Sequence, residues 1–213
     1  MYHKSGNMYL NRGEVGILEI FSRKPWEELS TPQVKRMSGK RSQHYVYSAL
    51  GKMSSLGILK TRKAGRTILY SLDLWSRAAI ANLSLLEEMS ALEKSIPQRN
   101  IEELLRSIRT PFFSFIVTGS YAEGKQTPES DLDIVVIVDR SHDKRKVEAS
   151  LWGGELMIPE IHLYVFTDEE FLSMLLSKEE NYGKEVARKH IIVQGSNSYY
   201  RILREAMENG FKG

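Results

Sequence analysis

The sequence contains no cysteine among its 213 residues. Disulfide bonds and thiolate zinc sites are therefore excluded, and we expect a cytoplasmic protein, because reducing compartments do not sustain disulfides. No apolar run approaches the roughly 18 residues needed to span a bilayer, so we predict no membrane contact. No charged stretch followed by an apolar one opens the chain, so we also expect no leader peptide.

Charge is unevenly distributed along the chain. Hydrophobic residues make up 41% of it and charged residues 27%, as in ordinary globular proteins. Residues 1–75 carry 13 Lys and Arg against 5 Asp and Glu, whereas residues 76–213 carry 17 against 22. A basic front and an acidic remainder indicate two modules with different partners.

The front of the chain predicts three short helices followed by a β-hairpin. Apolar spacing within residues 14–23 indicates the first helix, and Thr31 is the expected N-cap of a second that ends at Gly39. Ser42 caps a third helix that Gly57 closes. "ILKTR", the turn "KAGR" and "TILYSL" then indicate the hairpin. The apolar stripe of the third helix is Val46, Leu50, Met53 and Leu56.

Three helices and a basic hairpin make a winged helix-turn-helix, whose third helix enters the major groove of DNA. The passage from Ser54 to Leu59, S-x-L-G-I-L, resembles winged-helix transcription regulators, which implies double-stranded DNA as a partner. The residues expected to face base edges are Gln43, His44, Tyr47 and Ser48. Those expected to meet phosphates are Lys35, Arg36, Lys40, Arg41, Lys60, Arg62, Lys63 and Arg66. A winged helix used only for protein contact is the alternative.

Residues 74–109 predict a helical connector. A continuous helical pattern covers residues 74–95 and stops at Pro97, and a second run begins with Asn100 as its cap and ends at Pro111. The long helix serves either as a homodimer contact or as an intrachain support, because periodicity alone does not distinguish the two. Its predicted apolar face is Leu74, Ala78, Ala81, Leu85, Met89 and Leu92.

The segment "GSYAEGKQ", Gly119–Gln126, comes one residue short of the phosphate-binding P-loop pattern. A P-loop needs Ser or Thr after its lysine to hold Mg²⁺, and a helix that begins there. Here Gln126 follows Lys125, and Pro128 then leads into a strand. We therefore predict that the P-loop match is a coincidence.

A second phosphate site fits the same segment. The apolar run "FFSFIV" predicts a strand ending at Gly119 and Ser120, where missing side-chain bulk lets backbone N–H groups approach a triphosphate. The strand "SDLDIVVIV" follows, and its period of two puts Asp131 and Asp133 on one face. Two such carboxylates can hold a pair of Mg²⁺ ions, which would activate a hydroxyl and stabilise a leaving pyrophosphate.

The whole string "GSYAEGKQTPESDLDIVV" resembles the signature G-S-x-A-x-G-x(5)-S-D-x-D of the DNA polymerase β-like nucleotidyltransferases, in their minimal form. The positions that fill it are Gly119, Ser120, Ala122, Gly124, Ser130, Asp131 and Asp133. The resemblance implies an NTP substrate, two Mg²⁺ ions and an α+β domain with a small mixed sheet flanked by helices. Gly119, Ser120, Lys125 and Ser130 are the expected nucleotide-binding residues, and Asp131 and Asp133 the catalytic metal ligands.

The family also needs a third carboxylate from a neighbouring strand. "IPEIHLYVFTDEEF" resembles a stretch of proteins that fuse a winged helix to a minimal nucleotidyltransferase, and Glu160 occupies its acidic position. Glu160 is therefore expected as a catalytic residue and metal ligand, with a solvated strand-end carboxylate as the alternative. His162 stands where that pattern often has Asn. The resulting division is a winged helix over 1–73, the connector over 74–109 and a nucleotidyltransferase domain over 110–213.

Three functions remain open at the level of sequence. One is Mg²⁺-dependent transfer of a nucleoside monophosphate to a hydroxyl acceptor, coupled to DNA binding. The acceptor is unknown, and a partner protein is one candidate, since many minimal relatives pair with a helical toxin. The second is a transcriptional regulator that senses nucleotide without turnover. The third, an RNA-directed terminal transferase, is weaker because no further RNA-binding region is evident.

Overall fold

A computed structural model describes residues 9–139, 141–151 and 159–213. Residues 1–8, 140 and 152–158 lie outside this description. They include Ile158, the first residue of the predicted segment "IPEIHLYVFTDEEF". The chain divides into two compact units, the first ending at Leu86 and the second beginning at Glu87. No helix within the described ranges is long and apolar enough to cross a membrane.

The first unit combines three helices with a three-stranded antiparallel sheet in the order β1-β3-β2. The predicted hairpin is present, with a two-residue turn at Gly65 and Arg66. The elements are α1 (Arg12–Ser22), β1 (Leu29–Ser30), α2 (Thr31–Ser38), α3 (Gln43–Ser55), β2 (Leu59–Ala64) and β3 (Thr67–Leu72).

Helix boundaries in this unit follow local signals, with one correction. Ser42 caps α3 as predicted, since its side chain accepts a hydrogen bond from the Tyr45 N–H, and Gly39 ends α2 at φ +62°. The N-cap of α2 is Ser30 and not Thr31, because Ser30 forms a capping box with Gln33. Ser30 and Thr31 are both residues that commonly cap helices. The hydrogen bond from the Ser30 N–H to the Gln33 side chain makes Ser30 the N-cap.

Helix α4 (Arg77–Glu93) contains the division between the two units. Its predicted apolar face is wrong over most of its length, because the buried positions of the helix are Ala79, Leu83, Leu86 and Ala91. Leu85, Met89 and Leu92 are 61%, 55% and 65% exposed. A homodimer through this helix stays a prediction.

The second unit is built on a four-stranded mixed sheet in the order β6-β5-β4-β7, in which β5 and β6 are parallel. This agrees with the predicted mixed sheet and flanking helices. The elements are α5 (Gln98–Ser107), β4 (Phe113–Val117), α6 (Gly119–Glu123), β5 (Leu132–Val138), α7 (Ser141–Leu151), β6 (Ile161–Thr167), α8 (Asp168–Leu176), α9 (Tyr182–Arg188), β7 (Ile191–Gln194) and α10 (Ser196–Glu208).

The start of α5 also differs from the prediction. The helix begins at Gln98 with Pro97 as N-cap, and the Ile101 N–H donates to the Pro97 carbonyl at 3.1 Å. Asn100 therefore lies inside the first turn and does not cap the helix. Proline fits the start of a helix because its missing N–H would have no intrahelical partner there.

Helices cover both faces of the sheet. Ile134 and Val136 of β5 belong to a buried cluster that includes Ile101 of α5 and Val147 of α7. The buried side chains of the helices that follow β6 form a second apolar layer, which includes Phe171, Val186 and Tyr199. With both faces covered, the ends of the strands are left as the exposed edge where polar residues collect.

Candidate functional site

The Gly119 turn and the Asp133 carboxylate lie in direct contact. The Thr118 N–H donates to the Asp133 carbonyl at 3.0 Å, which fixes the end of β4 against the start of β5. Gly119 has φ +64°, and a Cβ built there would overlap the Asp133 carboxylate and lie 3.1 Å from its Cγ. Only glycine allows this carboxylate to occupy the space beside the turn.

Asp131 and Asp133 share one face, as the period of two predicts. The His162 Nδ1 lies 3.5 Å from the Asp133 Oδ1, and its Nε2 lies 3.7 Å from the Asp131 Oδ2. The two aspartate side chains are 44% and 27% exposed. The structure therefore brings both carboxylates together at an edge that a ligand can reach.

Glu160 lies next to this pair in the sheet. It immediately precedes β6, it is exposed, and its carbonyl accepts a hydrogen bond from the Leu132 N–H at 2.8 Å. Among the described residues, no three His, Asp or Glu side chains converge closely enough to hold a metal ion. The oxygen donors of Asp131 and Asp133 fit the preference of Mg²⁺, and the role of Glu160 as a third ligand stays a prediction.

The other expected nucleotide-binding residues have partners within the loop. The Lys125 Nζ lies 2.6 Å from the Glu123 carboxylate. The Ser130 Oγ accepts a hydrogen bond from the Thr127 N–H at 2.8 Å, so it stabilises the turn before Asp131. Loop residues 125–131 separate α6 from β5, and this excludes the P-loop arrangement. The nucleotide contacts of Ser120, Lys125 and Ser130 stay predictions.

Lys189 is a residue of this region that the sequence did not indicate. It forms an ion pair with Glu123, and its carbonyl accepts a hydrogen bond from the Thr118 Oγ1 at 2.8 Å. Hydrogen bonds from Lys125 and then Lys189 lower the pKa of Glu123 to about 2. Two lysines are thus held close to the Gly119 turn by one carboxylate that stays charged at any physiological pH.

The predicted base-facing residues of the first unit lie on the exposed side of α3. Gln43, His44, Tyr47 and Ser48 are all exposed, whereas Val46, Leu50 and Met53 are buried on the opposite side. Arg36, Arg41, Lys60, Arg62, Lys63 and Arg66 are exposed, and Lys35 and Lys40 are half-buried.

Arg62 differs from the other basic residues of the hairpin. Its Nε lies 3.0 Å and 3.1 Å from the two carboxylate oxygens of Glu28, to which its Nη2 also donates. The hydrogen bonds from Arg62 lower the pKa of Glu28. A guanidinium that is already bound to a carboxylate is a weaker phosphate ligand than an unpaired one. We therefore expect Arg62 to contribute less to DNA binding than the other predicted phosphate contacts.

The mixed sheet with its flanking helices fits the fold of a nucleotidyltransferase. Residues 99–192, somewhat less than half of the chain, match the family model described as a nucleotidyltransferase domain. This match supports the nucleotidyltransferase part of the resemblance seen in the sequence.

One solved structure, described as "Crystal structure of the toxin-antitoxin with AMP-PNP", is similar at 14% identity with a TM-score of 0.36. The similarity covers 53% of this chain and 86% of that chain. A TM-score this low supports no conclusion about the present protein. No curated protein matches the chain.

Proposed function

We propose that the second unit transfers a nucleoside monophosphate from an NTP to a hydroxyl acceptor. The observation that carries this proposal is the contact between the Gly119 turn and the Asp133 carboxylate, with Asp131 facing the same imidazole of His162. A phosphate-binding turn and two carboxylates so close together suit a reaction at a metal-bound polyphosphate. The family match of residues 99–192 supports the same reaction class.

In the proposed reaction, the acceptor oxygen forms a bond to the α-phosphorus and the bond to pyrophosphate breaks. Two Mg²⁺ ions, when bound, supply the positive charge that acidifies the hydroxyl and stabilises the leaving group. Asp131 and Asp133 would hold the ions, and Glu160 would share one of them and accept or orient the hydroxyl proton. The backbone of Gly119 and the hydroxyl of Ser120 would bind the β- and γ-phosphates.

The acceptor is a protein side chain, a nucleic-acid 3′ end or a small molecule. Minimal enzymes of this class lack the larger substrate domains that reveal an acceptor. A partner protein is one candidate.

Replacing both Asp131 and Asp133 by Asn should remove magnesium-dependent NTP binding. The Asn side chain has the shape of the Asp side chain but lacks the negative charge with which carboxylates bind a divalent cation. We expect the affinity for NTP with Mg²⁺ to fall by more than the roughly 10- to 100-fold that is typical when a residue that only supports a metal ligand is replaced. Calorimetric titration of ATP, GTP, CTP and UTP, each with and without Mg²⁺, measures the effect.

The matched control replaces two exposed carboxylates, Glu169→Gln with Glu205→Gln, and removes the same net charge from α8 and α10. This control should bind NTP as the wild type does. DNA affinity should be unchanged in both double variants. Equal loss of NTP and DNA binding in the Asp variant would refute two independent modules.

We further propose that the first unit is a winged helix that binds double-stranded DNA. The proposal is supported by the order of three helices followed by a hairpin, by the exposed polar side of α3, and by the +8 charge of residues 1–75. Clustered Lys and Arg neutralise phosphates and release counterions, so affinity should fall steeply with salt.

Lys63→Ala and Arg66→Ala should each lower the slope of log affinity against log salt by about 1, because each removes one phosphate contact. Arg62→Ala should change the slope less, since Arg62 is already held by Glu28. Fluorescence anisotropy with a mixed-sequence duplex at several salt concentrations measures the slopes. If all three variants keep the wild-type slope, the hairpin is not a DNA-binding wing.

The second candidate function is nucleotide sensing without turnover. The observation in its favour is that His162 lies between the two aspartates, while no three His, Asp or Glu side chains of the described residues converge on a metal ion. Incubation with α-labelled and γ-labelled ATP distinguishes the two functions. Pyrophosphate release with transfer of the α-label indicates an enzyme, whereas binding that returns intact ATP indicates a sensor.

A further inference from the structure

One exposed aromatic residue, Tyr164, follows the aspartate pair along β6. Asp133 is the register partner of His162, and Val135 is the partner of Tyr164. Tyr164 therefore lies on the same face as His162, two residues or about 7 Å further along the strand. Its side chain is among the exposed large apolar groups of the described chain, at 40%.

Tyr182 packs against the Tyr164 ring. The two ring centroids are 4.6 Å apart at an interplanar angle of 48°, and Tyr182 also contacts Phe166 at 6.4 Å. The Tyr182 hydroxyl is buried and makes no hydrogen bond within the described part of the chain. Burial, followed by the negative charge of Asp133, raises the pKa of Tyr182. This ring therefore stays neutral close to the aspartate pair.

A cleft of about 520 Å³ lies beside Tyr182, which is part of its lining together with Arg188 and Lys189. Arg188 makes two hydrogen bonds to the Glu180 carboxylate, at 2.6 Å and 2.9 Å, and Lys189 pairs with Glu123. The lining has two cations, Arg188 and Lys189, and two carboxylates, Glu180 and Glu185, so its formal charge is balanced. Tyr182 and a balanced charge suit an uncharged polar group better than a phosphate.

We propose that Tyr164, supported by Tyr182, stacks on the nucleobase of the NTP. The inference rests on the proposed function, which puts the phosphates at Gly119 and at the aspartate pair. Tyr164 lies about 7 Å along β6 from His162, which contacts both aspartates, so the base of an NTP bound at the pair lies within reach of this ring. Every nucleobase has a π-face that can stack on an aromatic ring. We therefore expect Tyr164 to increase the affinity for all four NTPs without selecting one of them.

The test compares ATP with inorganic tripolyphosphate, which has the phosphates and lacks the nucleoside. Both are titrated with Mg²⁺ into the full chain and into Tyr164→Ala and Tyr164→Phe. We expect Tyr164→Ala to weaken ATP binding by about 5- to 100-fold, as loss of one base–aromatic stack does. Tripolyphosphate affinity should be unchanged, and Tyr164→Phe should bind ATP as the wild type does.

Phe112→Ala is the matched control, because Phe112 is a more exposed aromatic, at 67%, beside the opposite end of β4 from the Gly119 turn. It should leave both affinities unchanged. The proposal is overturned if Tyr164→Ala binds ATP normally, or if it loses ATP and tripolyphosphate in equal measure. Failure of the proposed function is visible separately, as wild-type protein that does not bind tripolyphosphate with Mg²⁺.

Discussion

Gly119→Ala should abolish magnesium-dependent ATP binding while leaving most of the second unit folded. The new methyl group would overlap the Asp133 carboxylate, so the carboxylate must move away from the turn. The backbone at φ +64° adds strain of about 1–3 kcal/mol for a residue with a side chain. Calorimetry with Mg²⁺ and ATP measures binding, and urea unfolding measures the free energy of unfolding.

Gly124→Ala separates the two effects. Gly124 has nearly the same backbone conformation, φ +66°, and nothing lies within 4 Å of a Cβ built there. It should therefore lose similar stability through backbone strain and keep its ATP affinity. If Gly119→Ala binds ATP as well as Gly124→Ala does, the contact between the turn and Asp133 is not part of a nucleotide site.

The centre of the candidate site could be predicted because its residues are close in sequence. Gly119, Asp131 and Asp133 fall within fifteen consecutive residues, and strand alternation alone puts the two aspartates on one face. The contact that explains Gly119 is between two strands, and a sequence pattern contains no distance between β4 and β5. The pattern therefore named the residues, and the structure adds a second reason for the glycine, its contact with the Asp133 carboxylate.

The surroundings of the site could not be predicted because they join distant parts of the chain. Lys189 and Glu123 are 66 residues apart, and nothing in either local sequence selects the other. Tyr164 of β6 and Tyr182, the first residue of α9, pack against each other although they belong to different elements. Such pairings follow from tertiary packing, and a local pattern of apolar and polar residues does not specify them.

Helix α4 shows where periodicity misleads. Its sequence carries Ala, Leu and Met on several sides, so two apolar faces satisfy the same helical spacing. The face with Leu85 and Met89 has the larger side chains, yet Leu83 and Leu86 are the ones that are buried. Burial is decided by the shape of the neighbouring elements, which accept one side of the helix, and not by the size of the residues alone.

Among Gly→Ala substitutions at the described glycines of the second unit, Gly195→Ala should have the largest effect on stability. Gly195 is the N-cap of α10 at φ +76°, and a Cβ there would lie 2.9 Å from both the Phe113 carbonyl carbon and the Ser114 Cα, and would overlap the Phe113 oxygen. These are backbone atoms of a central strand, so no side chain can rotate away. The Ser114 Oγ also donates to the Gly195 carbonyl at 2.8 Å.

We therefore expect Gly195→Ala to cost more than about 4 kcal/mol, in the range that marks a defined structural failure. Amide hydrogen exchange measures this loss of stability. We expect β4, β5 and β7 to lose protection while α1 and α3 stay protected, because the two units have separate cores. Gly210→Ala is the control, since Gly210 has φ +103° and open space around its Cα. Normal exchange in Gly195→Ala would mean that the sheet stays folded when the close packing of Gly195 against β4 is lost. The candidate site would then not depend on this contact.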